Sequence, residues 1–484
     1  MYDKDSDILK HKLFDLLRPS IKDSQPIYTQ KDAYKFLSLN TKGKENFNVI
    51  DILTNNLFPN YMSDKFLNSN IEKGKYLGYI VRKILLTYIN ISKITDRDSY
   101  INKRVDLPGS LLLELYRELW GKFKKNIDRM IDDEYKINYK TNDDKDISNI
   151  INDMNSHRIF DHSIMNTIVK SFGANFGTGI SSRQGIVQDL NRNVMLGTLS
   201  HIRRITNPLP SGSKAIGPRK LHNSQWGMIC PTESPDGGNV GIINHLSIIS
   251  RITTTIDDKH YEDVLLDVNV IPLKNTIVSD FYYSTKVFLN GRLFGIHIDP
   301  SYLYKYLKLL KLNSIINITT SISWNIYSHE FHIFTDSGRI IRPIFHLKED
   351  KKGKKYNKLI SKDYSLLESW KRCIHGYLFR DEIDFYTPTY FKEELIKIKN
   401  DHENFMEFLE EHSAPIEYID SIETENTFIC KDIHDIKNNN KFTHCEIHNS
   451  LILSAVSANI PFPEHSQAPR NVFSCQQTKQ AVGV

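Results

Sequence analysis

Arg203, Arg204, Arg219, Lys220 and His222 all fall inside one stretch of sequence, residues 203–246. Guanidinium forks match phosphate oxygens bidentately, and glycine lets backbone approach a polyanion closely. The stretch, RRITNPLPSGSKAIGPRKLHNSQWGMICPTESPDGGNVGIINHL, holds five prolines and six glycines. Binding a phosphate-rich polymer is one chemistry this cluster could serve. Solvating a surface loop is the other, and the charge pattern leaves both open. Glu233 lies between Pro231 and Pro235. A carboxylate there can orient a basic neighbour or cap a turn.

Other groups carry weaker signals. His444, Cys445, His448 and His465 invite a zinc reading. H-C-x-x-H is not a common structural zinc spacing, and on a strand Cys445 and His448 point to opposite faces because their offset is odd. A structural role is expected for them. GANFGTGI (173–180) lacks the GK[ST] that carries a lysine and a magnesium-binding hydroxyl to nucleotide phosphates, so it reads as a structural loop. KEDKKGKKYNK (348–358) reads as a solvated charged loop. No nucleophile–base–orienter set and no DxDxD-type magnesium ligand set stands out. The chain is not expected to hold a complete catalytic centre of its own.

The elements that must position these groups follow from periodicity. Residues 203–246 show no sustained period and should be irregular, yet Trp226, Met228, Ile229 and Val240 are too apolar for a disordered linker. Upstream, helices are expected at 8–17, 30–37 and 74–91, the last with Leu77, Ile80, Ile84 and Tyr88 on one face. Pro108 and Gly109 open a long helix whose Leu112, Leu115, Leu119, Phe123, Ile127 and Met130 recur every three or four residues. Polar residues 139–149 mark a boundary, and a helix is expected over 184–200. Residues 248–347 read as mostly β, from LSIISRITTTI, VLLDVNVIPL and KVFLNGRLFGIHI, with a hairpin turn at Asn290-Gly291 and a helix at 301–310. Residues 329–347 read as two strands across an Asp336-Ser337-Gly338 turn, 389–411 as helix, and 414–426 as a strand followed by an acidic turn.

Composition sets the class. The chain has 484 residues, 40% hydrophobic and 25% charged, with a net charge of +5, a balance that suits a multidomain globular protein. No apolar run approaches the ~20 residues that span a bilayer, and no membrane partner or secretory signal is expected. Five cysteines without a CxxC argue against a disulfide framework and for a reducing compartment. Abundant Asn, Ile, Lys and Tyr suggest an AT-rich genome.

The motifs together resemble the second-largest, β-type subunit of multisubunit DNA-directed RNA polymerases. SSRQGIVQDLNRNVMLGTLSHIRR (181–204) resembles its fork region, and PRKLHNSQWGMICPTESPDGGNVGIINHLS (218–247) resembles its signature R-x-L-H-x-S-x-[WY]-G-x-[IV]-C-P-x-E-[ST]-P-[ED]-G. DRDSYINKRVDLPGSLL resembles the lobe. VFLNGRLFGIH and IFTDSGRIIRPIF resemble the external regions. IPFPEHSQAPRNVFSCQQTKQAVGV, preceded by PIEYIDSIETEN and HCEIHNSLIL, resembles the start of the hybrid-binding region. These motifs run from about residue 74 onward.

The resemblance implies an α+β multidomain fold. Its parts would be a partial lobe (1–134), a partial protrusion (135–172), irregular fork loops (173–250), mixed β external regions (251–347 and 348–430) and the start of a β-rich hybrid-binding domain (431–484). It implies that Arg470 contacts the incoming nucleotide's triphosphate, that Lys479 and Gln480 line the site near the RNA 3′ end, and that Glu233 lies near the active centre. Gln188, Asn191, Arg192, His201, Arg203 and Arg204 would flank the RNA–DNA hybrid, and Arg219, Lys220 and His222 belong to the signature. The implied reaction is attack of the RNA 3′-OH on a ribonucleotide's α-phosphate with two Mg2+ ions, held mainly by the largest subunit, and no zinc is expected here. Expected partners are that subunit and other polymerase subunits, DNA template, RNA transcript and NTPs, inside a cell, a nucleus or a viral factory or virion. Gln477-Thr478 stands where most of the family has Met-Gly, a variant similar to large DNA viruses. The family's later lysines, wall and clamp are not in the sequence, so a split gene, an interrupted frame or a truncated fragment is expected. The alternative is a non-catalytic fragment that binds nucleic acid or a polymerase subunit.

Overall fold

Leu303, Leu307 and Leu310 recur at helical spacing behind Asp299-Pro300, and in the computed structural model Pro300–Leu312 is a helix. Asp299 caps it by accepting from the backbone N–H groups of Ser301 and Tyr302, both at 3.1 Å, and Pro300 occupies the first turn, where no N–H is needed. The structure describes residues 2–41, 46–61, 66–141, 166, 168–170, 175–176, 183–209, 213–349, 355–357, 359, 369–378, 391–402, 404–436 and 441–483. Helices and sheets are mixed throughout, an α+β multidomain architecture. Among the described residues no helix is long and apolar enough to cross a membrane.

The chain divides into two interleaved compact units. One comprises Arg104–Leu221, Ile229–Ile248 and Leu451–Val484. Its long helix, Pro108–Thr141, starts at the expected Pro108, and Leu115 and Leu119 of the expected stripe are buried against Phe176, Ile168 and Ile186. Two short antiparallel pairs follow: β1 (Asn175–Phe176) with β2 (Arg183–Gln184), and β3 (Arg204–Thr206) with β4 (Ile243–His245). The helix expected over 184–200 is Met195–Ile202 instead. Asn191 accepts the Asn193 N–H through its side chain at 3.0 Å, a local bond that competes with the helical ladder and holds the preceding residues in a turn. In the last 34 residues the described backbone forms short 3-10 turns and the helix Ala468–Gln480.

The other unit comprises Met1–Lys103, His222–Met228 and Ile249–Ser450. Its strands are β5 (Arg251–Ile252), β6 (Ile271–Pro272), β7 (Thr285–Leu289), β8 (Arg292–His297), β9 (Ser321–Asn325), β10 (Glu330–Phe334), β11 (Ile340–His346), β12 (Lys348–Glu349), β13 (Lys355–Tyr356), β14 (Ile416–Asp420), β15 (Ile429–Cys430) and β16 (His444–Cys445). One sheet runs β6-β8-β7-β10-β9 and another β14-β11-β16-β15, with β5 also on β11. Asn290 and Gly291 turn β7 into β8 with φ of +49° and +78°, the left-handed pair that a tight hairpin requires. The two strands expected across residues 336–338 both form but do not pair with each other. β10 lies between β7 and β9, and β11 enters the second sheet. VLLD, expected as strand, closes the helix Lys259–Asp267, because Tyr261, Val264 and Leu265 make one apolar face against Leu303 and Leu307.

The helix Phe66–Tyr88 confirms the expected helix but buries another face. Leu77, Ile84 and Tyr88 are exposed, while Tyr76 and Tyr79 pack with Tyr61 on Phe288 and Leu293. These tyrosines satisfy their hydroxyls as they pack, Tyr79 on Glu330 and Tyr76 on the Gly291 carbonyl at 3.3 Å. Two of the zinc candidates, Cys445 and His448, take structural roles. Cys445 is buried in β16, and His448 is exposed and caps Ser450 at 3.1 Å.

Candidate functional site

The helix Ala468–Gln480 has two faces with different chemistry. Asn471, Cys475 and Lys479, spaced by four, are buried, whereas Arg470 and Gln480 are exposed. Asn471 anchors the first turn by donating to the Pro463 carbonyl at 2.8 Å. Cys475 meets the Ser457 hydroxyl at 3.1 Å, and Ser457 also lies 3.3 Å from Cys230. Burial raises the Cys475 thiol, which suits packing and not nucleophilic attack.

Lys479 points to Glu233, the carboxylate that the prolines bracket. Its ammonium donates to Glu233 Oε1 at 3.1 Å, and the Ser200 hydroxyl donates to the same oxygen at 2.6 Å. Glu233 is 1% exposed. His245 lies across from it, Nδ1 at 3.0 Å from the Glu233 carbonyl and Nε2 at 3.6 Å from Oε1. Burial pushes the His245 imidazole down to about 4, so it is neutral at pH 7 and its Nδ1–H donates to that carbonyl. Burial pushes the Glu233 carboxyl up. His245, hydrogen bonds from Ser200 and Ser454, and the Lys479 ammonium oppose that and hold it below the usual range. Glu233 is thus an ionised tie-point among four chain segments, with its oxygens turned inward.

The loop before Met195–Ile202 is built around His201. Its Nδ1 accepts the Asn191 N–H at 3.1 Å, which leaves Nε2–H to donate to Gln188 Oε1 at 3.0 Å. Burial, and secondarily Arg204, lower the His201 imidazole, consistent with the neutral tautomer. Gly197 lies in this knot, where an added Cβ would sit 3.3 Å from the Lys479 carbonyl. Arg203 donates to the Ser247 carbonyl at 2.6 Å, and Arg204 pairs with His245 in the β3–β4 ladder. Arg192 is exposed.

Arg219 and Lys220 divide in role. Arg219 donates to the carbonyls of Gly238 (2.8 Å), Val240 (2.9 Å) and Ser213 (3.0 Å), so its guanidinium staples the loop. Gly241 sits beneath it at φ +72°, where a Cβ would fall 2.3 Å from the Arg219 carbonyl. Lys220 is exposed. Arg219→Ala should therefore cost about 2 kcal/mol of stability, the scale for hydrogen bonds to a charged group. Urea unfolding checks this. His222 belongs to the other unit. Its Nδ1 accepts the Ser224 N–H at 3.1 Å and its Nε2–H donates to Asp96 at 2.7 Å.

The structure thus gathers Glu233, Lys479, Arg204 and the Gln188–Asn191–His201 loop in one unit. Ser200 and His245, which complete the tie-point, carry no spacing signal toward Glu233 in the sequence. They meet it only through the β3–β4 pairing and the helix Met195–Ile202.

Family models described as RNA polymerase Rpb2 match residues 2–106 (domain 2), 188–252 (domain 3) and 287–348 (domain 4). The chain is 29% identical to the DNA-directed RNA polymerase II subunit RPB2 of Meyerozyma guilliermondii, over 99% of its own length and 40% of the relative's. It is 30% identical to DNA-directed RNA polymerase II subunit 2 of Arabidopsis thaliana, over 99% and 39%. Against DNA-directed RNA polymerase subunit 2 of Acanthamoeba polyphaga mimivirus it is 30% identical, over 86% and 34%. The chain therefore spans at most 40% of these curated relatives. The likeness begins at residue 2, well ahead of the motifs near residue 74.

Proposed function

Because the chain belongs to the RNA polymerase Rpb2 family, we propose that it forms one side of the active-centre cleft of a DNA-directed RNA polymerase. In this reading the enzyme extends RNA on a DNA template, and this chain acts only in complex with the largest subunit. Arg470 meets the triphosphate of the incoming nucleotide, with Gln480 exposed on the same helix. Gln188, Asn191, Arg192, His201, Arg203 and Arg204 flank the hybrid. Residues 1–134 serve as lobe, 135–172 as protrusion, 173–250 as fork, 251–430 as external regions and 431–484 as the start of the hybrid-binding region.

The observation that carries this reading is the two-faced helix Ala468–Gln480. An exposed guanidinium at Arg470 stands on a helix pinned from behind by Asn471, Cys475 and the Lys479–Glu233 pair. Fixed placement of a bidentate cation is what stabilisation of a transferring phosphoryl group requires. Magnesium does not fit this tie-point. Glu233 Oε1 is taken by Ser200 and Lys479, and one carboxylate does not supply the set of oxygen ligands that an octahedral Mg2+ takes. No step here runs through a metal on this chain, and the Mg2+ of the family chemistry is assigned to the largest subunit.

The test is co-expression with a largest-subunit homologue and the remaining second-subunit segment, followed by pulldown and extension of an RNA primer on a nucleic-acid scaffold. Copurification with extension is the expected result. Copurification without extension would replace this reading with a binding fragment.

A further inference from the structure

The geometry points to a transition-metal site in the other unit, independent of the polymerase reading, built by His346, Glu417 and His444. The three come from three strands of one sheet. In the β11–β16 register His346 pairs with His444, and in the β11–β14 register Ile344, two residues from His346, pairs with Glu417. The period-two pleat puts all three side chains on one face. Their donor atoms converge. His444 Nε2 is 3.0 Å from Glu417 Oε2, His346 Nδ1 is 3.7 Å from the same oxygen, and the two ring nitrogens are 3.5 Å apart. Ligands at ~2.0–2.1 Å from a tetrahedral Zn2+ lie about 3.3 Å apart, so this triangle is close to one face of a zinc tetrahedron.

The surroundings suit an ion. Glu417 divides its oxygens: Oε1 faces Lys308 (2.5 Å) and Lys311 (3.1 Å), while Oε2 faces the imidazoles. Glu423 independently holds Lys308 at 2.7 Å and Lys311 at 2.9 Å. Capture of Oε2 by a cation therefore strands neither ammonium. His444 Nδ1 lies 2.9 Å from the Thr443 hydroxyl, which lies 3.3 Å from the Phe428 carbonyl. With Nδ1–H donating to Thr443 and Thr443 donating onward, Nε2 keeps its lone pair for a metal, the usual outer-partner arrangement of a histidine ligand. Glu417 and His444 are buried, whereas the His346 side chain is 26% exposed. The partial exposure of His346 gives an ion a side from which to enter. Two imidazoles and one carboxylate select Zn2+ or a similar divalent ion over Mg2+. This departs from the expectation of no zinc, which rested on the spacing around Cys445. The site uses His444 with partners about 27 and 98 residues away, a set no local motif shows.

The test titrates the metal-stripped full chain with Zn2+ by calorimetry and, separately, with Co2+ by visible absorption. One equivalent should bind with a tetrahedral Co2+ spectrum. His346→Ala should weaken binding by at least the ~10–100-fold that loss of a mere outer partner costs and abolish that spectrum, as should His444→Ala. Circular dichroism without metal verifies folding. If buried His444→Ala does not fold, the partly exposed His346→Ala decides. Absence of stoichiometric binding, or unchanged binding in folded His346→Ala, overturns the proposal.

Discussion

A polymerase reconstituted with Arg470→Ala is expected to add nucleotides about 10²–10³-fold more slowly, the cost of removing one preorganised charge-stabilising donor. The reason lies in what the substitution leaves intact. Arg470 is exposed, and its backbone N–H donates to the Gln467 carbonyl at 2.9 Å whatever its side chain. The buried face, Asn471, Cys475 and Lys479, is untouched. Unfolding free energy should therefore change by no more than about 0.5 kcal/mol, and assembly should survive. Arg470→Lys should recover part of the rate, because an ammonium keeps the charge but loses the fork. Single-nucleotide addition by rapid quench reads the rate, and wild-type elongation by the alanine variant would remove Arg470 from the triphosphate.

How much of this was legible beforehand depended on whether a feature is local. The helix expected at 301–310, the Asn290-Gly291 hairpin and the Pro108 helix are written in consecutive residues, and all three form. Which face of a helix is buried is not local. The aliphatic positions of Phe66–Tyr88 looked like core, but the partner surface offered Phe288, Leu293 and Glu330, and tyrosines fit it better. The same holds for the candidate site. The family resemblance singled out Glu233 in the signature and, far downstream in TKQAVG, Lys479, and the structure joins them at 3.1 Å. Ser200 and His245 were missed because only strand pairing and a shortened helix bring them there. Arg219 shows what charge pattern alone leaves open: basic residues in an irregular loop fit phosphate contact or a loop role, and the Arg219 guanidinium donates to the backbone carbonyls of that loop.

Lys479→Met should cost about 3–5 kcal/mol in urea unfolding at pH 7, because it strands an ionised carboxylate in the interior. The Ser200 hydroxyl remains as a donor, but it carries no charge to offset Glu233. The pH dependence follows from the sign of the shift. Glu233 is held below its unfolded value, so its contribution is full above roughly pH 4–5, the unfolded range, and is lost as pH falls through the folded value. Without Lys479 the depression shrinks, and the penalty of the variant should lessen toward acid pH as Glu233 takes up a proton. Glu233→Gln combined with Lys479→Met removes both charges and should recover most of the loss. That double variant also separates two roles for Lys479. If the ammonium serves to pin the helix that carries Arg470, nucleotide addition returns with stability in the double variant. If Lys479 itself lines the RNA 3′ end, stability returns and the rate does not. With Lys479 buried and turned to Glu233, recovery of both is the expected result, which makes Lys479 a positioning residue and leaves Arg470 as the group that meets substrate.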